Sequence, residues 1–511
     1  MIYVILGQTA SGKTGVSLEL CRKFNLPLIG ADTFQMYQEL NIGSAKPTKK
    51  ELEGIDYHLI NDISVTDKMS VMEYQRKARA LLDKYIKEGQ DIILSGGTFL
   101  YVRAALYPYE FKEEREDNNE EKYSNFSNEE LYQKLVEVDK ESADILHPNN
   151  RRRVIRALEI FDSGVKKSDI RIKKPKLMYP CKFFMIDIDK DEGNEKINAR
   201  VDEMVEKGLF DEVDELIKQY DTSSQAFEAI GYKEIIRGIK ENKTREEIIE
   251  EIKLDTRQYA KRQRTFLRHQ FENIHIGKKQ EIEEYISYDI QRRKRNKASI
   301  DPLILARIEK SKVALIGVGG VGSIVASSLL RLGVSNLTLI DKDVVDVSNL
   351  NRQIIYDKDD IGLIKVEQAK KHLHKIDPHA LINVVADLYS NSYLDESFDF
   401  VFDCIDDVDA KCEIYKFCKD NNIKVIHATG SGLRIDSTKF VLGTLNETSE
   451  PLSKKFKRFL KEKYGGVDLS LINVAYSKET NVKRRTEYIG SNVSAPNGEG
   501  LAMISYFIRN I

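Results

Sequence analysis

The chain has few cysteines, and they show none of the spacings that would give them a structural role. Cys21, Cys181, Cys404, Cys412 and Cys418 include no C-x-x-C pair. That pattern excludes a disulfide framework and a four-thiolate zinc site, so no zinc is expected and a reducing cytoplasm fits best. Net charge is lacking too. Lys and Arg number 80 against 82 Asp and Glu, a formal charge of -2, so a nucleic acid would have to be held by local basic patches. No basic stretch precedes the apolar start Met1-Ile2-Tyr3-Val4, and Lys13 interrupts it early, which argues against a signal peptide. The uncharged run Val313 to Leu330 has the length of a membrane span, but four glycines and three serines break it. A buried strand, a glycine turn and a helix explain the same residues, and no membrane partner is expected. His58 and His147 have no partner at metal-ligand spacing and read as structural.

What is present suffices for two large or three smaller globular domains: 511 residues, 41% of them hydrophobic and 32% charged. Short β-branched runs at Tyr3 to Leu6, Asp91 to Leu94, Lys312 to Ile316, Leu337 to Ile340, Phe398 to Asp403 and Ile423 to Ala428 alternate with helical stretches, the α/β signature. Glycine loops follow the strands near 3 and 313, so each should open its own parallel sheet with ligands at the strand ends. The expected fold class is therefore an N-terminal P-loop parallel-sheet domain over 1–290 with a helical insertion at about 110–180, then a second Rossmann-like α/β domain over 311–511. The acidic stretch Glu110 to Lys122 begins the insertion. Between the halves, Gln291-Arg292-Arg293-Lys294-Arg295-Asn296-Lys297 has five basic residues and no apolar one, so 291–310 is expected to be a basic linker followed by a shortened helix.

The first loop, Gly7-Gln8-Thr9-Ala10-Ser11-Gly12-Lys13-Thr14, matches G-x-x-x-x-G-K-[ST] between a strand and a helix. Gly7, Thr9, Ala10, Ser11 and Gly12 can turn backbone N–H groups onto a diphosphate, with Lys13 as a charge clamp and Thr14 on Mg²⁺. A nucleotide hydrolase or kinase would usually place an Asp at the end of a later strand, whereas here Ile92-Ile93-Leu94 runs into Ser95-Gly96-Gly97-Thr98. A phosphate-transferring kinase is thus the weaker alternative.

Six further stretches stand in order: Ala31-Asp32-Thr33-Phe34-Gln35-Met36-Tyr37, Ile42-Gly43-Ser44-Ala45-Lys46-Pro47, Gly96-Gly97-Thr98, His147-Pro148-Asn149-Asn150-Arg151-Arg152-Arg153 continuing to Glu159, Ala229-Ile230-Gly231-Tyr232-Lys233-Glu234, and Tyr259-Ala260-Lys261-Arg262-Gln263. Together with the loop they closely resemble the tRNA dimethylallyltransferases, from residue 1 to about 275. Gln8 stands where that family usually has Pro, and Phe99 where Gly follows Gly-Gly-Thr. The resemblance implies transfer of a dimethylallyl group from dimethylallyl diphosphate to an exocyclic adenosine amine of tRNA. Asp32 would be the base, with Thr98 and Arg200 near the reacting groups and Asp32, Thr33, Phe34 and Gln35 on the tRNA. Gln35 is the candidate reader of the unstacked base. Structural readings compete: Asp32 could cap the following turn, and Arg200 could be a solvated helix residue. Arg257, Lys261, Arg264 and Arg268 fall on one helical stripe and Arg152, Arg153 and Arg156 form a second basic cluster; these, with the run Arg292 to Lys297, are the expected grip on the anticodon stem-loop, against the reading of the stripe as a solvated face.

The second loop, Gly317-Val318-Gly319-Gly320-Val321-Gly322, is followed 19 residues on by Asp341, a pattern that by itself only suggests a dinucleotide fold. Asp341-Lys342-Asp343, Ser348-Asn349-Leu350-Asn351-Arg352-Gln353, Lys365 and Asp403-Cys404-Ile405-Asp406 then resemble the ubiquitin-activating-enzyme-like adenylation fold. That resemblance implies ATP over Gly317, Gly319, Gly320 and Gly322, with Asp341 on the ribose, Asn351, Arg352 and Lys365 toward the phosphates and Asp406 on the Mg²⁺ side. Cys404, Cys412 and Cys418 then read as core or helix residues. Asp436-Ser437-Thr438-Lys439, Glu447 to Ser453, the basic run Lys454-Lys455-Phe456-Lys457-Arg458, Ala475-Tyr476-Ser477 and Gly490-Ser491 narrow the likeness to tRNA threonylcarbamoyladenosine dehydratases. These imply ATP-dependent ring closure on the modified base and a homodimer through the C-terminal domain. The N-terminal helix of that family is short or altered here, and Arg292 or Arg295 is the candidate to replace an arginine it delivers to ATP. The alternative is one active half carrying a degenerate RNA-binding or sulfur-carrier-activating partner.

Overall fold

The computed structural model describes residues 1–108, 119–162, 176–271, 273–479 and 490–511, with the side chains of 119–121 and 268–270 left out. The chain forms two compact units, Met1–Ala105 together with Tyr179–Ile511, and Leu106–Met178. The acidic stretch expected to open the insertion lies largely outside the described residues.

The larger unit holds two sheets. In the first, β1 (Ile2–Leu6), β2 (Leu28–Gly30), β3 (Tyr57–His58), β4 (Ile92–Gly96), β5 (Cys181–Ile186) and β6 (Ile274–Gly277) pair in the order β3-β2-β4-β1-β5-β6. All its pairings are parallel. Every residue of β1 is buried, as a strand covered on both faces must be, and its apolar sequence follows from that. The second sheet comprises β7 (Lys312–Ile316), β8 (Asn336–Ile340), β9 (Leu381–Val385), β10 (Phe400–Asp403), β11 (Lys424–Ala428), β12 (Phe440–Thr444) and β13 (Asn473–Ser477), ordered β12-β13-β11-β10-β7-β8-β9. Only the edge strand β12 runs antiparallel. Each glycine loop leaves the carboxyl end of a central strand, β1 or β7, where strand order reverses and a crevice opens. The uncharged run from Val313 is strand β7, a turn, and the helix Gly320–Leu332. Among the described residues no helix is long and apolar enough to cross a membrane.

The expected linker is not one. Gln291 to Lys297 lies inside the helix Lys279–Ser299, and the helix Pro302–Lys310 follows after Asp301, whose side chain caps it. Ile282, Tyr285 and Ile286 of the longer helix pack on Tyr3, Ile5 and Phe184 of the first sheet. Farther along, Lys182 of β5 donates to Asp289 at 2.9 Å and to Asp377 at 3.0 Å, and Arg292 reaches the same two carboxylates at 2.7 and 3.0 Å. Asp377 belongs to the second half, so this buried network crosses from one sheet to the other. A basic run reads as solvated in the sequence because its carboxylate partners lie far away along the chain. Here they satisfy Arg292, Arg293 and Lys297, as buried charges require, while Lys294 and Arg295 stay exposed.

In the smaller unit, the helices Asn128–Val138 and Arg151–Asp162 bury Leu131, Leu135, Val154, Ala157 and Leu158 between them. Ser127 and Glu130 form a capping box that starts the first of these helices.

Candidate active sites

In the first loop Ala10 and Gly12 take positive φ, 60° and 85°, which turns successive backbone N–H groups inward before the helix Lys13–Phe24 begins. Among the described residues the Oγ of Ser11, itself buried, has no hydrogen-bond partner, nor does either amide atom of buried Gln8. Of these, the Ser11 hydroxyl and the Gln8 Nε2 are donors, and orphaned donors at such a loop suit an anion that accepts from them. The opposite wall is the Gly96-Gly97-Thr98 turn at the end of β4. A Cβ at Gly96 would lie 2.1 Å from the Ala31 carbonyl, so only glycine fits there. A Cβ at Gly97 would lie 3.7 Å from Asp32 Oδ2 and 3.8 Å from Lys13 Nζ, so carboxylate and ammonium converge over this residue.

Asp32 also accepts from Phe34 N at 3.2 Å through Oδ1; the capping role is present, and it leaves Oδ2 toward Gly97. Thr98 Oγ1 accepts from Thr33 N at 3.2 Å and lies 3.1 Å from Thr33 Oγ1, tying the two walls together. Burial pushes the Lys13 ammonium down to about 8, with the Asp32 charge opposing the shift and Arg200 adding to it. Arg200, half-buried on the helix Lys190–Glu206, is likewise lowered by burial with Asp32 opposing. It is no solvated helix residue. Gln35 lines the same small pocket as Lys13, Thr14 and Asp32, but its Nε2 already donates to the Ser44 carbonyl at 3.2 Å.

The basic stripe is on one helix, Arg245–Gln270, started by a capping box from Thr244. It is not uniformly solvated: Arg257 donates to Asn198 Oδ1 at 2.6 Å and Arg264 is half-buried, while Lys261 is exposed. The side chain of Arg268 lies outside the described residues. In the smaller unit Arg152 and Arg153 are exposed and Arg156 pairs with Glu159 at 3.0 Å.

The second loop borders a cleft of about 690 Å³ lined by Gly317, Gly319, Gly320, Asp341, Arg352, Lys365 and Asp406. Asp341 holds the loop, accepting from Val318 N at 2.7 Å and Asp343 N at 2.9 Å. Lys365 pairs with Asp343 at 2.9 Å, and Arg352 donates to the Ser348 carbonyl at 2.7 Å. Two expected residues do not themselves line it. Asn351 adjoins the cleft: its amide donates to the Ser491 carbonyl at 2.9 Å and its Oδ1 accepts from Arg352 at 2.9 Å. Gly322 does not line it either: a Cβ there would sit 1.9 Å from the Gly317 carbonyl, so this glycine serves close packing of helix on turn. Arg292, committed to Asp289 and Asp377, and Arg295 are both absent from the lining.

The IPP transferase family model matches residues 35–270, and the ThiF family model matches 292–464. A tRNA dimethylallyltransferase from Exiguobacterium sp. is 41% identical over 280 residues, 54% of this chain and 89% of the relative. The chain belongs to the tRNA dimethylallyltransferase family. The crystal structure of a tRNA delta(2)-isopentenylpyrophosphate transferase from Staphylococcus epidermidis is 35% identical, covering 57% of this chain and 99% of that one at a TM-score of 0.43. The E. coli tRNA N6-threonylcarbamoyladenosine dehydratase in complex with AMP is 28% identical, covering 43% of this chain and 93% of that one at a TM-score of 0.42. Residues 292–464 of this family member match the ThiF family model in addition.

Three features of this dimethylallyltransferase-family chain carry no signal that spacing could reveal. Gln263, buried, accepts from Thr9 N at 2.8 Å and donates to the Gly97 carbonyl at 3.0 Å, clamping loop to turn; its motif is visible in the sequence, its role is not. Lys279, at the start of its helix, reaches the phosphate loop: a Cβ on Gly12 would lie 2.1 Å from its Nζ. Asp403, beneath the second cleft, is fully buried, pairs with Lys411 at 2.9 Å, and lies 2.6 Å from His427 Nδ1. Phe99, the departure after Gly-Gly-Thr, opens the helix Phe99–Leu106 and stacks on Phe266 with ring centres 5.7 Å apart. Cys412 and Cys418 are buried in the helix Val408–Asp420, as expected, while Cys404 borders the second cleft.

Proposed function

We propose that this chain performs two modifications of tRNA at the adenosine 3′ to the anticodon: dimethylallyl transfer in the first half and ATP-dependent ring closure of threonylcarbamoyladenosine in the second. The observation that carries the first reaction is the convergence of Lys13 and Asp32 over Gly97 at a loop with unpartnered polar groups. The exocyclic nitrogen forms its bond to the allylic carbon as the carbon–oxygen bond to diphosphate breaks, and the electron pair leaves on the diphosphate. Backbone N–H groups of Ala10 and of Gly12 to Thr14 and the Lys13 ammonium stabilise that charge, the term that counts most in such a displacement; the Thr9 N–H is held by Gln263. Asp32 Oδ2 takes the proton shed by the nitrogen, a role worth ~10² to 10⁴-fold. Thr98 fixes the turn that faces the base, and Gln35 reads the base edge. A magnesium ion held at Thr14 in the first site, or on the Asp406 side of a triphosphate in the second, would add neutralisation of phosphate charge.

The second reaction is supported by the ThiF match and by one cleft that collects Asp341, Arg352, Lys365 and Asp406. A substrate carboxylate oxygen attacks the α-phosphorus of ATP, pyrophosphate leaves, and the side chain's own nucleophile closes the ring as AMP departs. Arg352 and Lys365 neutralise the triphosphate. The first reaction puts a dimethylallyl group on the exocyclic nitrogen and the second needs a threonylcarbamoyl group already there, so they serve different tRNAs and not successive steps. A cytoplasmic homodimer through the C-terminal domain completes the proposal, supported by exposed apolar side chains at Val344, Val347, Ile361, Leu363 and Ile364. The test is reconstitution of the full chain with dimethylallyl diphosphate or with ATP and threonylcarbamoylated tRNA, read by mass spectrometry of nucleosides. Absence of the prenylated nucleoside overturns the first half of the proposal; absence of the cyclic one overturns the second.

A further inference from the structure

A second large cleft, of about 610 Å³, lies where the helix Lys279–Ser299 meets the second sheet's helices, and neither reaction uses it. Its walls come from four places: Tyr288, Arg292 and Asn296 on that helix, Ser327 and Arg331 on the helix Gly320–Leu332, the apolar pair Ile354 and Ile355, and His372, Leu373, Lys375 and Ile376 at the end of the helix Lys365–His374. No carboxylate lines it. Its Arg292 is already neutralised by Asp289 and Asp377, and His372 Nε2 is taken by Asp360 at 2.7 Å. Arg331 and Lys375 are different. Both are exposed, and among the described residues neither forms an ion pair.

The same cleft carries an aromatic platform. The ring of Tyr288 is anchored by its hydroxyl, which donates to the Ile376 carbonyl at 2.8 Å, yet the residue is 43% exposed. The Asn296 amide donates to the Arg331 carbonyl at 2.7 Å, which leaves its Oδ1 free to accept from a base or a ribose hydroxyl. Two unpaired cations, a fixed aromatic face and a side-chain acceptor are the chemistry that holds single-stranded nucleic acid: charge on the phosphates, stacking on the ring. Walls from both halves make this a feature of the joined chain, built by neither sheet alone.

We propose that this cleft docks the sugar-phosphate backbone of the substrate tRNA, outside both catalytic sites, with Arg331 and Lys375 on phosphates and Tyr288 under a base. The proposal rests on tRNA being the substrate. A free nucleotide has the same chemistry, and the test separates the two.

The full chain and its Arg331→Gln/Lys375→Gln double variant are titrated with labelled tRNA, and separately with ATP, across a range of salt concentrations. Docking requires that the double variant bind tRNA roughly tenfold more weakly and that the slope of log affinity against log salt flatten by about 1.4, at about 0.7 per lost phosphate contact. ATP affinity should stay unchanged. Tyr288→Leu should weaken tRNA binding with the salt slope intact, and the swap Arg331→Lys/Lys375→Arg should bind as the wild type does, which separates lost charge from a damaged fold. An unchanged tRNA affinity and slope in the double variant overturns the proposal, and so does a loss that falls on ATP instead. If the wild-type chain itself fails to bind tRNA, the assigned substrate falls first; if it binds and the variants match it, only the docking cleft falls.

Discussion

Arg293 donates to Asp91 Oδ1 at 3.1 Å while its Nε donates to Glu309 at 2.6 Å, so one guanidinium, 1% exposed, is shared between a carboxylate beside β4 and one in the helix before β7. Tyr3 of β1 accepts from the same guanidinium and donates to Asp289. The halves are therefore joined through buried charge and not through a tether.

Removing one member of such a group strands the others. Arg293→Met should lower the stability of the whole chain by roughly 3 to 5 kcal/mol, because buried Asp91 and Glu309 lose their shared counter-ion. A cut between residues 290 and 291 splits the helix itself, so the two fragments should be insoluble or unfolded alone and both activities lost. Urea unfolding of the variant and circular dichroism of the fragments check this. Two stable, active fragments would show that the network is dispensable.

The two sheets and both glycine loops are legible in the sequence because their signals are local: β1 and β7 are uninterrupted apolar runs, and each loop declares its geometry in glycine spacing. The run around Arg293 reads as a linker for the opposite reason. Arg293 looks solvated until Asp91 and Glu309 arrive from 202 and 16 residues away. Gly322 and Asn351 fit a motif yet serve packing and a loop contact, a distinction only the Gly317 and Ser491 carbonyls reveal. Short strands such as β2 and β3 have too few residues for periodicity to show. Lys279 belongs to no motif, since it reaches the phosphate loop by way of the turn after β6.

Asp32→Ala should reduce dimethylallyl transfer by at least ~10²-fold while diphosphate binding survives, because the carboxylate acts on the amine and the loop holds the leaving group. Single-turnover rates set beside pyrophosphate affinity decide it. A variant that keeps more than about a tenth of the wild-type rate removes Asp32 from the role of base.

Lys279 should act on the diphosphate and not on the tRNA. Lys279→Ala is expected to raise KM for dimethylallyl diphosphate roughly tenfold, the loss of about one charge-assisted contact, with KM for tRNA unchanged and recovery in Lys279→Arg. Lys13 adds a pH limb. With its ammonium near 8, it loses its proton as pH rises through that value, so KM for the diphosphate substrate should climb above about pH 8 in the wild type. Flat KM from pH 7 to 9 would contradict the clamp.

Arg352→Ala should stop ring closure and leave dimethylallyl transfer untouched, since Arg352 lines only the second cleft. Parallel assays of the one variant suffice; equal loss of both activities would mean that Arg352 supports the common fold.

Glu499 supplies the last test, of how the turn bordering the second cleft is held. Its side chain is fully buried, accepts from Thr429 N at 2.7 Å and Gly430 N at 3.0 Å through Oε1, and leaves Oε2 without a partner. Burial, then the neighbouring Glu450 carboxylate, pushes its pKa up to about 8. The folded value lies above the unfolded one near 4.3. The fold therefore favours the protonated form, and the resulting stability is fully present below about pH 4, declines as pH rises, and is lost once pH passes about 8. Glu499→Gln keeps the acceptor for Thr429 and Gly430 but has no proton to lose. Its stability relative to wild type should thus grow between pH 5 and pH 9, by on the order of a few kcal/mol, with the variant the more stable at pH 9. Urea midpoints measured across that range decide the matter: curves that stay parallel would mean that Glu499 is ionised in the folded protein at every pH, and that the turn is held by a buried carboxylate with its charge intact.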